Sequence, residues 1–332
     1  MHKPILLLLC TLMLVSSCKR KNTPVPADPV PTEDSTTGGG DDSTANWENI
    51  MAKQVDGGFM GKSIKCHDGN ILALGKNADG LPVIRKIAMS TGSITWVKEI
   101  SSLINHKFTG ITETDDNDIV VSGYTAGTSS GLIVVAYNSS GDEKWRKTYS
   151  EPDHRLGTSR MISLSNSNLL IYISGSYSHE YNSYRLVRML LDKEGTRISS
   201  SISGSPSGLT VACSDMIRTS DNRIVALFNS PPASFNLTLL DESGTYIKTG
   251  TVSSGVPWVN CSAVKETATG EFLCCGYERP ISGPGAKGFV ARFSSELDNL
   301  DYDIYDNPGL TNIIHTNNGF TVVGANGAAA YI

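Results

Sequence analysis

The sequence predicts an all-β fold: a β-propeller of six blades with four antiparallel strands each, the last blade completed by an N-terminal strand. Three observations carry this expectation. First, a polar turn rich in Asp, Asn or Gly followed by a β-rich apolar run occurs six times, as HDGNILALG, DDNDIVVSG, SNSNLLIYISG, TSDNRIVALF, TGEFLCCG and NNGFTVVG. The first apolar residues, Ile71, Ile119, Leu169, Ile224, Phe272 and Phe320, are 48, 50, 55, 48 and 48 residues apart, a period of one propeller blade. Second, a fixed grammar of strand, turn and strand recurs with that period, which a β-sandwich does not require. Third, no stretch sustains helical periodicity, so βα repeats are not expected.

Within each unit the elements follow in order. The anchor strand carries glycine four residues on at Gly75, Gly123, Gly276 and Gly324, where a strand meets a close backbone neighbour or makes a sharp exit. A variable loop leads to a second apolar run, PVIRKIAM, GLIVVAYN, YRLVRMLLD, FNLTLLD or GFVARFS. In the first four units this run reaches a tight turn, STGS, SSGD, KEGT or ESGT, whose glycine supplies positive φ. The strand after the turn is ITWVKEI or EKWRKTY in the first two units, then TRISSSI, TYIKTGT and NLDYDIY, and Trp145 is expected to cover the gap between neighbouring units. The last repeat ends at GAAAYI after three strands, and NWENIMAKQ, beginning near Trp47, resembles the tryptophan-bearing fourth strand that would close the ring.

The segments running from Asn138 through Gly141 to Trp145, and from Ser90 through Gly92 to Trp96, resemble propeller repeats of secreted bacterial lipoproteins and the tryptophan-docking repeats of the quinoprotein-like superfamily. The resemblance spans residues 47–332 and is strong in the first two repeats. It implies the fold and carries over no catalytic residue: quinoprotein dehydrogenases are usually eight-bladed, and their calcium and quinone ligands have no counterpart in this sequence. No cofactor is expected.

The N-terminus divides from the propeller by composition. Residues 1–17 pair Lys3 with an apolar run from Ile5 to Val15, too short to span a bilayer and typical of a secretion signal. The order Leu14, Val15, Ser16, Ser17, Cys18 resembles the bacterial lipobox, which implies cleavage before Cys18 and acylation of that cysteine, with more than one chain giving stable anchoring (palmitate among them). Residues 18–45 are rich in Pro, Gly, Ser and Thr and hold too few large apolar residues to fold, so they read as a disordered tether before a propeller domain at 46–332. In the tether, Ser35 and Ser43 each follow an aspartate, matching the O-glycosylation sequon of one group of Gram-negative bacteria. Surface-export signals in related bacteria are acidic after the cysteine, whereas this chain has Lys19, Arg20 and Lys21. An outer-membrane anchor facing the periplasm is therefore expected over display on the cell surface.

Composition excludes several classes. A net charge of -5 over 332 residues, without a basic stripe, gives no footprint for nucleic acid. Cys66, Cys213, Cys261, Cys274 and Cys275 form an odd set without metal spacing, so buried thiols are expected although the compartment permits disulfides. The histidines have no HxH or HExxH spacing, and Glu113–Asp118 lacks the spacing of a calcium loop, so no metal is expected. Gly127–Gly131 spells G-x-S-x-G but opens a strand, and Gly57–Ser63 is one residue short of a phosphate loop.

Function is expected on the propeller face that carries the loops between second and third strands. There the long loops gather Tyr124, Tyr177, His179, Tyr181, Tyr184, Trp258, Tyr277 and Arg279, residue types enriched at binding hot spots. The sequence therefore reads as a monomeric, non-catalytic binding or scaffold lipoprotein of the Gram-negative envelope, offering this rim to a protein or glycan. The alternative is a glycan-active hydrolase or lyase with carboxylates assembled from several blades.

Overall fold

A computed structural model of the chain describes residues 59–102, 105–125, 131–177, 184–204, 212–230, 234–256, 258–279, 285–306, 310–316, 319–324 and 329–331. These residues form strands, turns and short connections. The first sheet holds β1 (Phe59–Lys65), β2 (Ile71–Lys76), β3 (Pro82–Ile87) and β4 (Ile94–Glu99). The second holds β5 (His106–Glu113), β6 (Ile119–Thr125), β7 (Leu132–Tyr137) and β8 (Glu143–Tyr149), and the third β9 (His154–Ser163), β10 (Leu169–Tyr177), β11 (Tyr184–Leu191) and β12 (Arg197–Gly204). The fourth comprises β13 (Ala212–Arg218), β14 (Ile224–Ser230), β15 (Ser234–Leu240) and β16 (Tyr246–Ser253), and the fifth β17 (Trp258–Glu266), β18 (Phe272–Arg279), β19 (Lys287–Phe293) and β20 (Asn299–Tyr305). The sixth has three strands, β21 (Leu310–Thr316), β22 (Gly319–Gly324) and β23 (Ala329–Tyr331).

Strands pair antiparallel in chain order within every sheet. The predicted anchors Ile71, Ile119, Leu169, Ile224 and Phe272 begin β2, β6, β10, β14 and β18, and Phe320 is the second residue of β22. Successive sheets pack through their first strands, β1 on β5, β5 on β9, β9 on β13, β13 on β17 and β17 on β21. The chain is an all-β propeller. It departs from the expected six four-stranded blades: five sheets have four strands and the sixth has three, because no described strand pairs beside β23. Residues 47–55, expected to fill that place, lie outside the described residues, as do the signal segment, Cys18 and the tether.

The turn between third and fourth strands follows from side-chain chemistry. Asn138 Oδ1 accepts the amides of Ser140 (3.0 Å) and Asp142 (2.8 Å), and Asp241 Oδ1 accepts those of Ser243 (2.9 Å) and Thr245 (2.8 Å). This is why Asn or Asp leads that turn in the second, third and fourth sheets, at Asn138, Asp192 and Asp241.

The first strand of each sheet carries a register irregularity opposite the far half of the anchor strand, for example between Phe108 and Gly110, Cys213 and Asp215, and Cys261 and Ala263. The recurrent glycine faces this bulge. A Cβ at Gly276 would stand 2.0 Å from the Asn260 carbonyl oxygen and 2.7 Å from Cys261 Cα, and one at Gly123 would stand 2.4 Å from the Lys107 oxygen. The bulge brings the first-strand backbone into the space of a side chain, so only glycine fits.

Apolar residues fill the seams between sheets. Phe235, Leu237 and Leu239 of the fourth sheet pack on Val259, Cys261, Cys274 and Phe289 of the fifth. On its other face the fifth sheet sets Ala263, Leu273, Cys275 and Val290 against Leu310, Ile313 and Val322 of the sixth. Trp145 caps a seam as expected: its Nε1 donates to the Lys193 oxygen of the third sheet at 3.0 Å, and its ring lies over Gly195.

Candidate functional site

Polar side chains of the first strands meet across the sheets. Lys62, in the irregular stretch of β1, reaches across to Asp215 of β13, three sheets further along the chain, with Nζ donating to Oδ1 at 2.9 Å. The other Asp215 oxygen, Oδ2, accepts the Val264 amide of β17 at 3.2 Å. Burial works against ionisation of Asp215. Lys62, through its charge and its hydrogen bond, then Lys265 and the Val264 amide outweigh it, so the carboxyl titrates below its usual value.

Arg160 of β9 ties further strands: Nε donates to the Ser214 oxygen at 2.5 Å, and Nη1 to the oxygens of Thr109 and Ser159, both at 3.0 Å. Asn229 continues the network. Its Nδ2 donates to Ser214 Oγ (2.5 Å), Asn260 Oδ1 (3.0 Å) and the Cys261 oxygen (3.0 Å), while its Oδ1 accepts the Cys261 amide (2.8 Å). These axial groups satisfy one another and join five sheets. Sequence reading missed Lys62, Arg160, Asp215 and Asn229, which lie far apart in the chain; the recurrent anchor glycine marks the bulges of the first, second, fifth and sixth sheets, but the fourth sheet, which holds Asp215 and Asn229, has none.

The predicted rim is only partly brought together. Tyr124 and Tyr277 occupy equivalent places, each five residues past its anchor, but on the second and fifth sheets. Tyr177 and Tyr184 end β10 and begin β11, with side chains outside the described residues, and His179 and Tyr181 lie wholly outside them. The remaining residues assemble on the fifth sheet, where Trp258 pairs with Arg279 and Asn260 with Tyr277 across β17 and β18. Asn260 was not among the predicted residues. Strand alternation places these four on one face, since Val259 and Cys261 point into the fourth-sheet seam. Trp258 is 60% exposed and Arg279 is exposed, while Tyr277 is half-buried. Tyr277 Oη accepts a long 3.4 Å bond from Asn260 Nδ2.

Elsewhere the chemistry is engaged. Asp115, Asp116 and Asp118 of the acidic turn each pair with a cation: Arg218 at 2.9 Å, Lys193 at 3.8 Å and Lys144 at 2.5 Å. Among the described residues no group of three or more His, Cys, Asp or Glu side chains could hold a metal. All five described cysteines are free and buried. Burial is the largest influence on the Cys66 and Cys213 thiols and pushes each up to about 12, so neither is a nucleophile at neutral pH. Lys62 of the phosphate-loop-like stretch is in a strand, not at a helix start, and most of the G-x-S-x-G stretch lies outside the described residues.

The fold is that of a β-propeller, with an exposed aromatic corner on its fifth sheet. No family model matches the chain, and no curated protein matches it. Among solved structures it is similar to the BP39L lectin of Burkholderia pseudomallei, with a TM-score of 0.56 at 12% identity over 80% of this chain and 78% of that one. A protein of unknown function from Dyadobacter fermentans aligns with a TM-score of 0.50 at 10% identity over 69% of this chain and 74% of that one. A quinohemoprotein alcohol dehydrogenase of Pseudomonas putida aligns at 0.44 and 12% identity over 79% and 55%. At such identities the first two likenesses show the fold alone.

Proposed function

We propose that this chain is a non-catalytic binding protein of a Gram-negative envelope, anchored through a lipidated Cys18 and offering a protein or glycan site on the propeller face where the second strands end. The observation that supports it best is Trp258, a large apolar ring left mostly in water beside the guanidinium of Arg279, which has no ion-pair partner among the described residues. Apolar aromatics and arginine at an exposed corner are residue types that concentrate binding energy. The BP39L neighbour is a lectin, which is compatible with a glycan ligand. The hydrolytic alternative needs a protonated carboxylic acid opposite a carboxylate. Asp215 is kept ionised by Lys62, and Glu278 is buried and accepts the Tyr302 hydroxyl at 3.2 Å, so neither is placed for that role.

Three further parts of the reading belong with it. Residues 47–55 supply the fourth strand of the sixth sheet, with Trp47 taking the place held by Trp96 and Trp145. The anchor sits in the outer membrane facing the periplasm, with Lys19, Arg20 and Lys21 against anionic headgroups. The tether carries O-linked sugars at Ser35 and Ser43. The site is tested by glycan-array and pull-down screening of the wild type against Trp258→Ala: retained ligands should be lost in the variant, and an unchanged binding profile would refute it. The anchor is tested by Cys18→Ser, which should leave the protein in the soluble fraction, and by protease shaving of intact cells, which should spare the propeller.

A further inference from the structure

We infer that the corner formed by Trp258, Asn260, Tyr277 and Arg279 is a subsite for an acidic sugar, a pyranose bearing a carboxylate; this deepens the binding reading above and rests on it. The four side chains share the sheet face that, further in, packs Ala263, Leu273 and Cys275 against the sixth sheet. They continue that apolar seam outward into solvent. Paired residues on neighbouring strands stand about 5 Å apart and the next pair on the same face about 7 Å further along, so one ring can touch both pairs.

Each group has a distinct use. The negative π face of the Trp258 indole attracts the polarised C–H groups on one side of a pyranose. Tyr277 accepts from Asn260, and its own hydroxyl proton has no acceptor among the described residues, so it is a donor for a sugar oxygen. Arg279 has no ion-pair partner among the described residues. The adjacent Glu278 points to the opposite face and is taken by Tyr302, and Asp306 is taken by Lys287 at 2.8 Å. A neutral sugar would use the indole and the phenol and leave the guanidinium without a counter-ion. A carboxylate matches its planar fork with two parallel bonds. An acidic peptide would satisfy Arg279 but has no flat C–H face to lay on Trp258.

The test is titration calorimetry on the purified protein with oligosaccharides of galacturonate, glucuronate and mannuronate, each alongside its neutral methyl ester, and with a glutamate hexapeptide. At least one acidic oligosaccharide should bind, with its ester about 10-fold or more weaker, the worth of a charge-assisted bidentate pair. Arg279→Gln should bring acid binding down to the level of the ester and leave the ester unaffected, whereas Trp258→Ala should weaken both. Melting temperatures of both variants should match the wild type, since the side chains are exposed. Equal affinity for acid and ester, lost together in Trp258→Ala, would overturn the acidic specificity while keeping the binding corner. Hexapeptide binding as tight as the best saccharide would overturn the sugar assignment. Absence of saccharide binding, together with an array and pull-down profile untouched by Trp258→Ala, would overturn the corner itself.

Discussion

At the scale of single residues, the glycine that recurs in the anchor strands is fixed by backbone contact rather than by a turn. Gly276→Ala would place a methyl group 2.0 Å from a backbone oxygen of the bulge, whereas a methyl at Gly270 would meet nothing within 4 Å and face only the strain of φ +79°. We expect Gly276→Ala to cost about 3 kcal/mol and Gly270→Ala about 1 kcal/mol in denaturant unfolding; equal losses would contradict the bulge account. Asp215 sets a second residue-scale expectation. Its side chain is 13% exposed and that of Lys62 20%, so Asp215→Asn, which keeps volume but strands the lysine, should cost about 2–3 kcal/mol at neutral pH. The folded state lowers the Asp215 pKa, so it binds that proton less readily than the unfolded chain does. The stabilisation is therefore complete above the ordinary carboxylate value of 3.8 and is lost as pH falls below it. The gap in stability between wild type and variant should accordingly narrow below about pH 4; a gap constant down to pH 2 would show that the ion pair is not its source.

At the scale of elements, the seam cap of β8 is the clearest unit. Trp145 both donates to the Lys193 oxygen and covers Gly195, where a Cβ would stand 2.7 Å from its ring. Trp145→Ala should cost about 2–3 kcal/mol, and Gly195→Ala should cost less in that background than in the wild type, a coupling readable in a double-mutant cycle. Strict additivity would mean that the ring does not rest on the turn. How far the sequence was legible follows from which elements repeat. Second, third and fourth strands were readable because their apolar runs and Asx-led turns recur at a fixed period, and Ile71 through Phe272 fall on strand starts. The first strands were not: each carries an irregularity that breaks the alternation of β5 or β13 midway, so HKFTGITE and ACSDMIR show no clean pattern. The axial groups Lys62, Arg160 and Asp215 stayed hidden for the same reason. The corner was half legible, since Trp258, Tyr277 and Arg279 stood out as residue types, but the pairing that joins them and Asn260 exists only in the register of β17 with β18.

At the scale of the whole molecule, the sheets are joined through their first strands, and Lys62–Asp215 ties the first sheet to the fourth. The sixth sheet has three described strands where the others have four. If residues 47–55 close it, deleting 46–55 should lower the melting temperature by several degrees more than deleting 22–40, because the first removes a paired strand and the second does not. Equal melting temperatures would refute closure by that segment. The measurement that bears most directly on the binding reading is amide hydrogen exchange of the purified protein with and without the tightest-binding acidic oligosaccharide. Protection is predicted at 258–260 and 277–279, where the second strand of the fifth sheet ends. Protection appearing instead at the opposite-face turns, residues 66–70, 114–118, 219–223 and 267–270, or nowhere on the propeller, would contradict it.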